Sequence, residues 1–397
     1  MRIPAADLGR RILTSARAAE IQPFEVMEIL ARANALERTG RNIIHMEIGE
    51  PDFTAPAPVV EAAARAMHEG RTAYTPALGI DELRETIAAY YRTRHGVELP
   101  PSRIAVTAGA SGALLLTLAT LLNPGDEVLL PDPGYPCYRH FVRAFEGVAR
   151  GLPVTGEANF QPTLAQVAAA WGPRTKALIL GSPSNPTGTL IAPEELAGIA
   201  RFIQERGGVL IADEIYQGLV YSGQTTTALS LSGNIVVINS FSKYFCMTGW
   251  RLGWAVLPAS MVRSFERLSQ HLFICPSTIS QRAAMAAFLP ETIDLLEQRR
   301  EEFRRRRDFI VPALQSIGFG IPAKPNGAFY VFADCSMFHD DAKRFSFDVL
   351  LERAGVAATP GNDFGANGTQ RFVRFAYTRS IAELEEGIAR IGRVCAG

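Results

Sequence analysis

The chain has 397 residues, 47% of them apolar and 20% charged, which is too long for one small core and points to two domains or one large one. Forty basic side chains balance forty acidic ones, which excludes a general pull towards nucleic acid or an anionic membrane. Five scattered cysteines without a C-x-x-C pair, and six histidines without metal-ligand spacing, exclude a disulfide framework and a zinc site and point to a reducing, cytoplasmic setting.

There is no secretory h-region at the N-terminus, and the longest apolar stretch, 112–122, is too short to span a bilayer. An amphipathic helix is predicted over 23–38, ending near Gly40. The turn Ile48-Gly49-Glu50-Pro51-Asp52-Phe53 follows. Thr54 is expected to cap a helix begun by Pro56 or Pro58 and ended by Gly70, with Val59, Val60, Ala63 and Met67 as its apolar face. A second helix over 80–94 places Ile80, Leu83, Ile87 and Tyr91 on one side. Strands and helices then alternate. The runs 104–106, 128–130, 177–180, 209–211, 235–238 and 252–257 are continuously apolar, as in a parallel sheet covered on both faces. Helical patterns such as 193–206 lie between them, so ligands are expected at the C-terminal strand ends of an α/β domain. Beyond about residue 290 a long helix carries the basic run 304–307, read as a solvated face. Alternating strands over 328–332 and 372–377 and two further helices suggest a smaller α+β lobe. The expected division is 50–290 for a large domain, with 1–49 and 291–397 forming a small one.

Four strand ends carry polar residues. Thr107-Ala108-Gly109-Ala110-Ser111-Gly112 opens a helix whose free N–H groups suit a phosphate, although a plain capped helix explains it too. Ser182-Pro183-Ser184-Asn185-Pro186 is a proline-stiffened turn that projects Asn185. Asp213 directly follows an apolar strand and needs a cationic partner unless it caps a helix. Asn239-Ser240-Phe241-Ser242-Lys243 runs on to Gly249-Trp250-Arg251. Lysine occurs only at 176, 243, 324 and 343, and only Lys243 combines hydroxyl neighbours, aromatic surroundings and a nearby arginine. An amine so placed can form a Schiff base with an aldehyde, and a surface lysine is the plain alternative. Together the four segments match pyridoxal 5′-phosphate, which needs a lysine, an acid for its ring nitrogen, donors for its phenolate oxygen and a phosphate cup.

Over nearly its whole length, from Gly49-Glu50-Pro51-Asp52-Phe53 and Tyr74-Thr75-Pro76-Ala77-Leu78-Gly79 to Arg371-Phe372-Val373-Arg374-Phe375-Ala376, the chain resembles class I aminotransferases. These are fold-type I pyridoxal-phosphate enzymes, and the resemblance is to their aspartate-aminotransferase-like branch. It implies an α/β large domain with a mostly parallel central sheet flanked by helices, plus the smaller α+β domain. It implies Lys243 as the Schiff-base residue and proton shuttle, Asp213 at the pyridinium, and Asn185 and Tyr216 at the phenolate oxygen. Gly109, Ala110, Ser111, Ser240, Ser242 and Arg251 match the phosphate cup, and Tyr135 matches the aromatic residue that stacks on the ring. Arg374 matches the arginine that grips the substrate α-carboxylate, helped by Asn185 and the backbone of Gly49. Tyr74 resembles the tyrosine that reaches the partner subunit's phosphate in a homodimer with shared sites.

The expected activity is two-step transamination from an L-amino acid to a 2-oxo acid. A lyase or synthase of the same fold keeps the site and changes the reaction. A non-enzymatic regulator fused to a DNA-binding module is opposed by the short segment before Gly49, which lacks a basic helix-turn-helix pattern. The segment resembling the substrate-side loop, Gln270-His271-Leu272-Phe273-Ile274-Cys275-Pro276, has no arginine or lysine, which favours neutral or aromatic amino acids.

Overall fold

The computed structural model describes residues 14–223 and 226–396, so the first thirteen positions of the expected 1–49 segment lie outside the described residues. Among these, the strands in chain order are β1 (Ile44–His45), β2 (Ile104–Thr107), β3 (Glu127–Asp132), β4 (Val148–Pro153), β5 (Thr175–Gly181) and β6 (Val209–Asp213). They continue as β7 (Val236–Ser240), β8 (Gly253–Val256), β9 (Tyr330–Asp334), β10 (Val356–Ala357), β11 (Thr359–Pro360) and β12 (Phe372–Ala376).

The central sheet has seven strands in the order β2-β8-β7-β6-β5-β3-β4. Only β8 runs antiparallel to its neighbours, so the sheet is mostly parallel as expected. The apolar runs form its centre because both faces are covered. Leu178, Leu210, Ala212 and Val237 pack into one apolar cluster, while Ala177, Ile179, Ile211, Val236 and Ile238 pack into another. Successive side chains of one strand thus feed opposite layers, which is why these strands carry no polar alternation. Helix Gly109–Leu121 is buried round much of its circumference, with Ala113, Leu114, Leu116 and Leu118 inside.

Two smaller sheets complete the fold. An antiparallel sheet has the order β11-β12-β9, and β1 pairs in parallel with β10. Residues just before the Gly49 turn are thereby held against the C-terminal quarter of the chain. Helix Asp81–His95 buries Leu83, Ile87 and Tyr91 and ends at Gly96 in a left-handed cap (φ 66°). Leu83 and Ile87, fully buried, each contribute roughly 1.5–3 kcal/mol of transfer free energy.

Several local expectations fail for identifiable reasons. Edge strand β4 presents mostly exposed residues, so no apolar run announces it. Helix Ala57–His68 starts after Pro56 with no side-chain cap, and Thr54 does not serve as one. Its buried face is Val59, Ala63 and Ala66, while Val60 and Met67 are exposed. Strands β9 and β12 are buried along nearly their full length rather than on alternate residues.

The basic run in helix Pro290–Ser316 is only half solvated. Arg304 and Arg305 pair with Glu301 and Glu302 outside, but Arg306 and Arg307 are buried. Arg306 donates to Asp52 at 2.9 Å and to Glu302 at 3.1 Å, and its guanidinium lies over the Phe53 ring. A buried cation needs such partners, and here they fasten the Gly49–Phe53 turn to the long helix.

Candidate active site

Because β8 is antiparallel, its first residue lies at the same sheet edge as the last residues of β2, β5, β6 and β7. The loops at that edge surround a cavity of about 300 Å³. Of the expected site residues, Gly49, Ala110, Ser111, Tyr135, Asn185, Asp213, Tyr216, Ser240, Ser242, Lys243, Arg251 and Arg374 line it. Gly109 stands immediately behind Arg251. Tyr74 and the segment 270–276 are not on the wall of their own chain's cavity.

Lys243 follows β7 by three residues and is half-buried, with Nζ donating to the Gly49 carbonyl at 2.5 Å. Burial pushes its amine down to about 8; Glu50 and Asp213 oppose the shift, and Arg374 and Arg251 add to it. Gly49 also packs against Tyr330, where only glycine fits: a Cβ there would sit 1.8 Å from the Tyr330 hydroxyl oxygen.

Asp213 ends β6 in full burial. It accepts from the Tyr138 hydroxyl at 2.6 Å and from the Ile215 N–H at 3.1 Å. Burial raises its carboxyl, against the lowering effect of those two donors and of Lys243. Asp213 has no ion-pair partner among the described residues, and no helix that it could cap follows directly, so the expected cation is not supplied by these residues. Tyr216, also buried, shares a 2.7 Å hydroxyl–hydroxyl bond with Tyr330, and burial holds its phenol well above the usual range.

Gly109 adopts φ +70° and opens helix Gly109–Leu121, whose first N–H groups have no intrahelical acceptor. A Cβ at 109 would lie 2.8 Å from Nη2 of Arg251, so only glycine lets the guanidinium reach the helix end. Arg251 is itself left-handed (φ 52°) and donates to the Thr248 carbonyl at 3.1 Å. The Ser240 and Ser242 hydroxyls are 3.0 Å apart beside it. Three hydroxyl-bearing residues, a guanidinium and a helix N-terminus converge here, a donor set for a dianion.

Arg374, in the middle of β12, is buried. Nη1 donates to Asn185 Oδ1 at 2.9 Å, and Nη2 donates to the Glu47 carbonyl and, at 3.3 Å, to the Thr359 hydroxyl. Its guanidinium lies 4.3 Å from the Tyr330 ring centre and 4.9 Å from that of Phe364. Nε is buried and has no partner among the described residues, and one Nη1–H is likewise unpaired. Asn185 spends its carbonyl on Arg374 and keeps its amide N–H groups for the cavity.

Sequence reasoning missed Tyr138, Tyr330, Thr359 and the apolar wall made by Phe24, Val26, Met27, Ile48 and Leu114. Only Tyr138 carried a local signal. It lies three residues after Tyr135, and the two rings meet edge-on at 5.2 Å.

Residues 41–391 match the family model for class I and II aminotransferases. The chain is similar to the valine–pyruvate aminotransferase of Mycobacterium tuberculosis, with 41% identity over 94% of this chain and 96% of that one. It is 37% identical to the aspartate/prephenate aminotransferase of Thermus thermophilus, over 96% of this chain and 98% of that one. Among solved structures, an aminotransferase from Mycobacterium tuberculosis superposes with a TM-score of 0.94 at 39% identity, covering 97% of this chain and 100% of the other. The aspartate aminotransferase of Thermus thermophilus with maleate gives 0.92 at 36% identity, with the same coverage. The fold is that of the aspartate aminotransferases, and the chain belongs to the class I and II aminotransferase family. It is a transaminase that works with pyridoxal 5′-phosphate, which decides against the lyase and the regulator.

The cavity fits that cofactor. It offers a buried acid without a cation, an amine held near neutrality, and a glycine-backed donor cluster for a phosphate.

Proposed function

We propose that the protein carries an amino group from an L-amino acid with an apolar side chain to a 2-oxo acid in two half-reactions. The bound cofactor supplies an aldehyde and an electron-accepting ring. Lys243 Nζ anchors the aldehyde and, once displaced, takes the proton from the substrate Cα. Asp213 binds the protonated ring nitrogen, and Tyr216 and the Asn185 amide donate to the ring oxygen. Tyr135 packs against the ring. Gly109, Ala110, Ser111, Ser240, Ser242 and Arg251 bind the phosphate. Arg374 binds the α-carboxylate, with Asn185 and the Gly49 backbone beside it. The observation that carries the reading is the combination of a Lys243 amine pushed down to about 8 with a buried Asp213 that lacks a cation, both lining the cavity. The apolar wall of Phe24, Val26, Met27, Ile48 and Leu114 supports the choice of amino acid.

A panel of half-reactions tests this. An aliphatic or aromatic amino acid alone should convert the cofactor's absorbance to that of its amine form, and a 2-oxo acid should restore it. Ammonia release, or a preference for aspartate over every apolar amino acid, would refute the reaction or the substrate class respectively.

The proposal extends to the domain division into 50–290 and 1–49 with 291–397. It is supported by a seven-stranded sheet lying wholly within 104–256 and by the pairing of β1 with β10. A cytoplasmic setting is supported by five free thiols, of which Cys246 and Cys335 are buried. Among the described residues no helix is long and apolar enough to cross a membrane.

We also propose a homodimer in which Tyr74 serves the partner's phosphate site. Tyr74 is 81% exposed, and Leu272 and Ile274 are exposed on the segment that stays out of its own cavity. Thr278 donates to the Ala73 carbonyl at 2.8 Å, which ties the two segments together. Mixing Lys243→Ala chains with Tyr74→Ala chains under subunit exchange should yield hybrids with one intact site and activity above the sum of the parents. No recovery, with exchange confirmed by mass, would exclude a shared site.

A further inference from the structure

The cavity explains what Arg374 can bind, but not what holds its guanidinium in one in-plane direction. The Tyr330 and Phe364 rings, at 4.3 and 4.9 Å, attract the cation without restraining rotation within its plane. Hydrogen bonds must set that direction. Asn185 fixes Nη1, and the other end depends on a small buried assembly that the catalytic roles leave unused.

Thr359 stands directly opposite Arg374 in the β11–β12 register and is fully buried. Its hydroxyl donates to the Glu47 carbonyl at 3.0 Å and lies 3.3 Å from Nη2 of Arg374, from which it can accept. Nη2 also donates to that same Glu47 carbonyl. One hydroxyl thus uses both its functions, closing a ring of three hydrogen bonds among Thr359, Arg374 and Glu47. The Glu47 side chain is likewise fully buried, with Oε1 2.7 Å from Nδ1 of His45. The three residues come from the segment after β1, from β11 and from β12.

We propose that Thr359, together with the Glu47 carbonyl, is a positioning residue that aims the Arg374 guanidinium at the substrate carboxylate. The inference rests on the reading of Arg374 as the carboxylate site. Of the five guanidinium N–H groups, one goes to Asn185 and two to this clamp, which leaves Nε–H and one Nη1–H without a protein partner. Without the Thr359 hydroxyl, a buried Nη2–H loses its acceptor and the guanidinium turns to find another. The Nη1 N–H left for the cavity then points away from the carboxylate.

Two variants remove the hydroxyl, Thr359→Val with similar shape and Thr359→Ala with a smaller side chain, and Thr359→Ser keeps it. In the holoenzyme, binding of isovalerate, an unreactive carboxylate, is followed through the cofactor's absorbance. Either hydroxyl-free variant should bind it about ten-fold more weakly, and KM for both amino acid and 2-oxo acid should rise similarly. The rate at saturation should change little, because Lys243 and Asp213 are untouched, and Thr359→Ser should restore the affinity. Arg374→Ala is measured in parallel. If it leaves isovalerate binding intact, the reading of Arg374 itself fails. If Arg374→Ala weakens binding but a folded hydroxyl-free variant does not, the clamp is overturned and the reading of Arg374 stands. A loss confined to the saturated rate, or one that Thr359→Ser shares, also overturns the clamp.

Discussion

Lys243→Ala should abolish transamination, lowering the rate by roughly four orders of magnitude, at the upper end of general acid–base contributions because the covalent anchor is lost as well. The other lysines give no substitute among the cavity-lining residues. Lys176 lies within ion-pair reach of Asp126, and Lys343 pairs with Glu25 at 2.7 Å. Borohydride reduction of the wild-type holoenzyme should place the cofactor adduct on the Lys243 peptide, and an adduct on Lys176, Lys324 or Lys343 would overturn the assignment. The lowered amine also fixes the sign of a pH effect. Its neutral, reactive fraction grows as pH rises and levels off above about 8. Capture of the cofactor by cofactor-free protein should follow that profile; one that still climbs steeply past pH 10 would mean an ordinary lysine.

Asp213→Asn should separate activity from stability. The holoenzyme should lose about 3 kcal/mol of transition-state stabilisation, comparable with removing an oxyanion-hole donor, because a neutral amide no longer holds a positive ring nitrogen. The cofactor-free protein should become no less stable near pH 7, and more stable if anything. Burial raises the Asp213 carboxyl in the folded state. A raised acid favours folding while it is protonated, below its unfolded value of 3.8, and that advantage disappears as pH rises through the folded value. Above 3.8 the unfolded chain gives up this proton more readily than the folded one, so at neutral pH the carboxyl is a cost to folding that asparagine removes. Near-normal turnover, or a large fall in the melting temperature of the cofactor-free variant, would count against this role.

The central sheet was legible because β5, β6 and β7 are buried on both faces, which leaves an unbroken apolar signature. Lys243 stood out through lysine's scarcity, and Gly109 through its place between a strand and an apolar helix. Tyr330, Thr359 and Glu47 gave no local sign, because each acts through a contact with a residue remote in sequence. The misread faces have a common cause. Val60 and Met67 are apolar but exposed, and Arg306 and Arg307 are charged but buried, so residue type alone inverts their positions. What decides the arginines is the partner each finds: Asp52 for Arg306, and the Pro325 carbonyl for Arg307. Neither partner could be inferred from a helical repeat.

The contacts that assemble the cavity also constrain how the chain reaches its native state. Lys243 meets the Gly49 carbonyl across 194 positions, and Arg374 meets the Glu47 carbonyl across 327. Closing loops of that size carries an entropy cost that grows with the logarithm of their length, and contacts so distant slow the search for the native topology. Helices such as Asp81–His95 need only near neighbours and can form early. The contacts around Arg374 require β1 paired with β10 and β12 set between β9 and β11. The surroundings of Arg374 are therefore expected to form after the central sheet, whose strand β7 leads directly into Lys243.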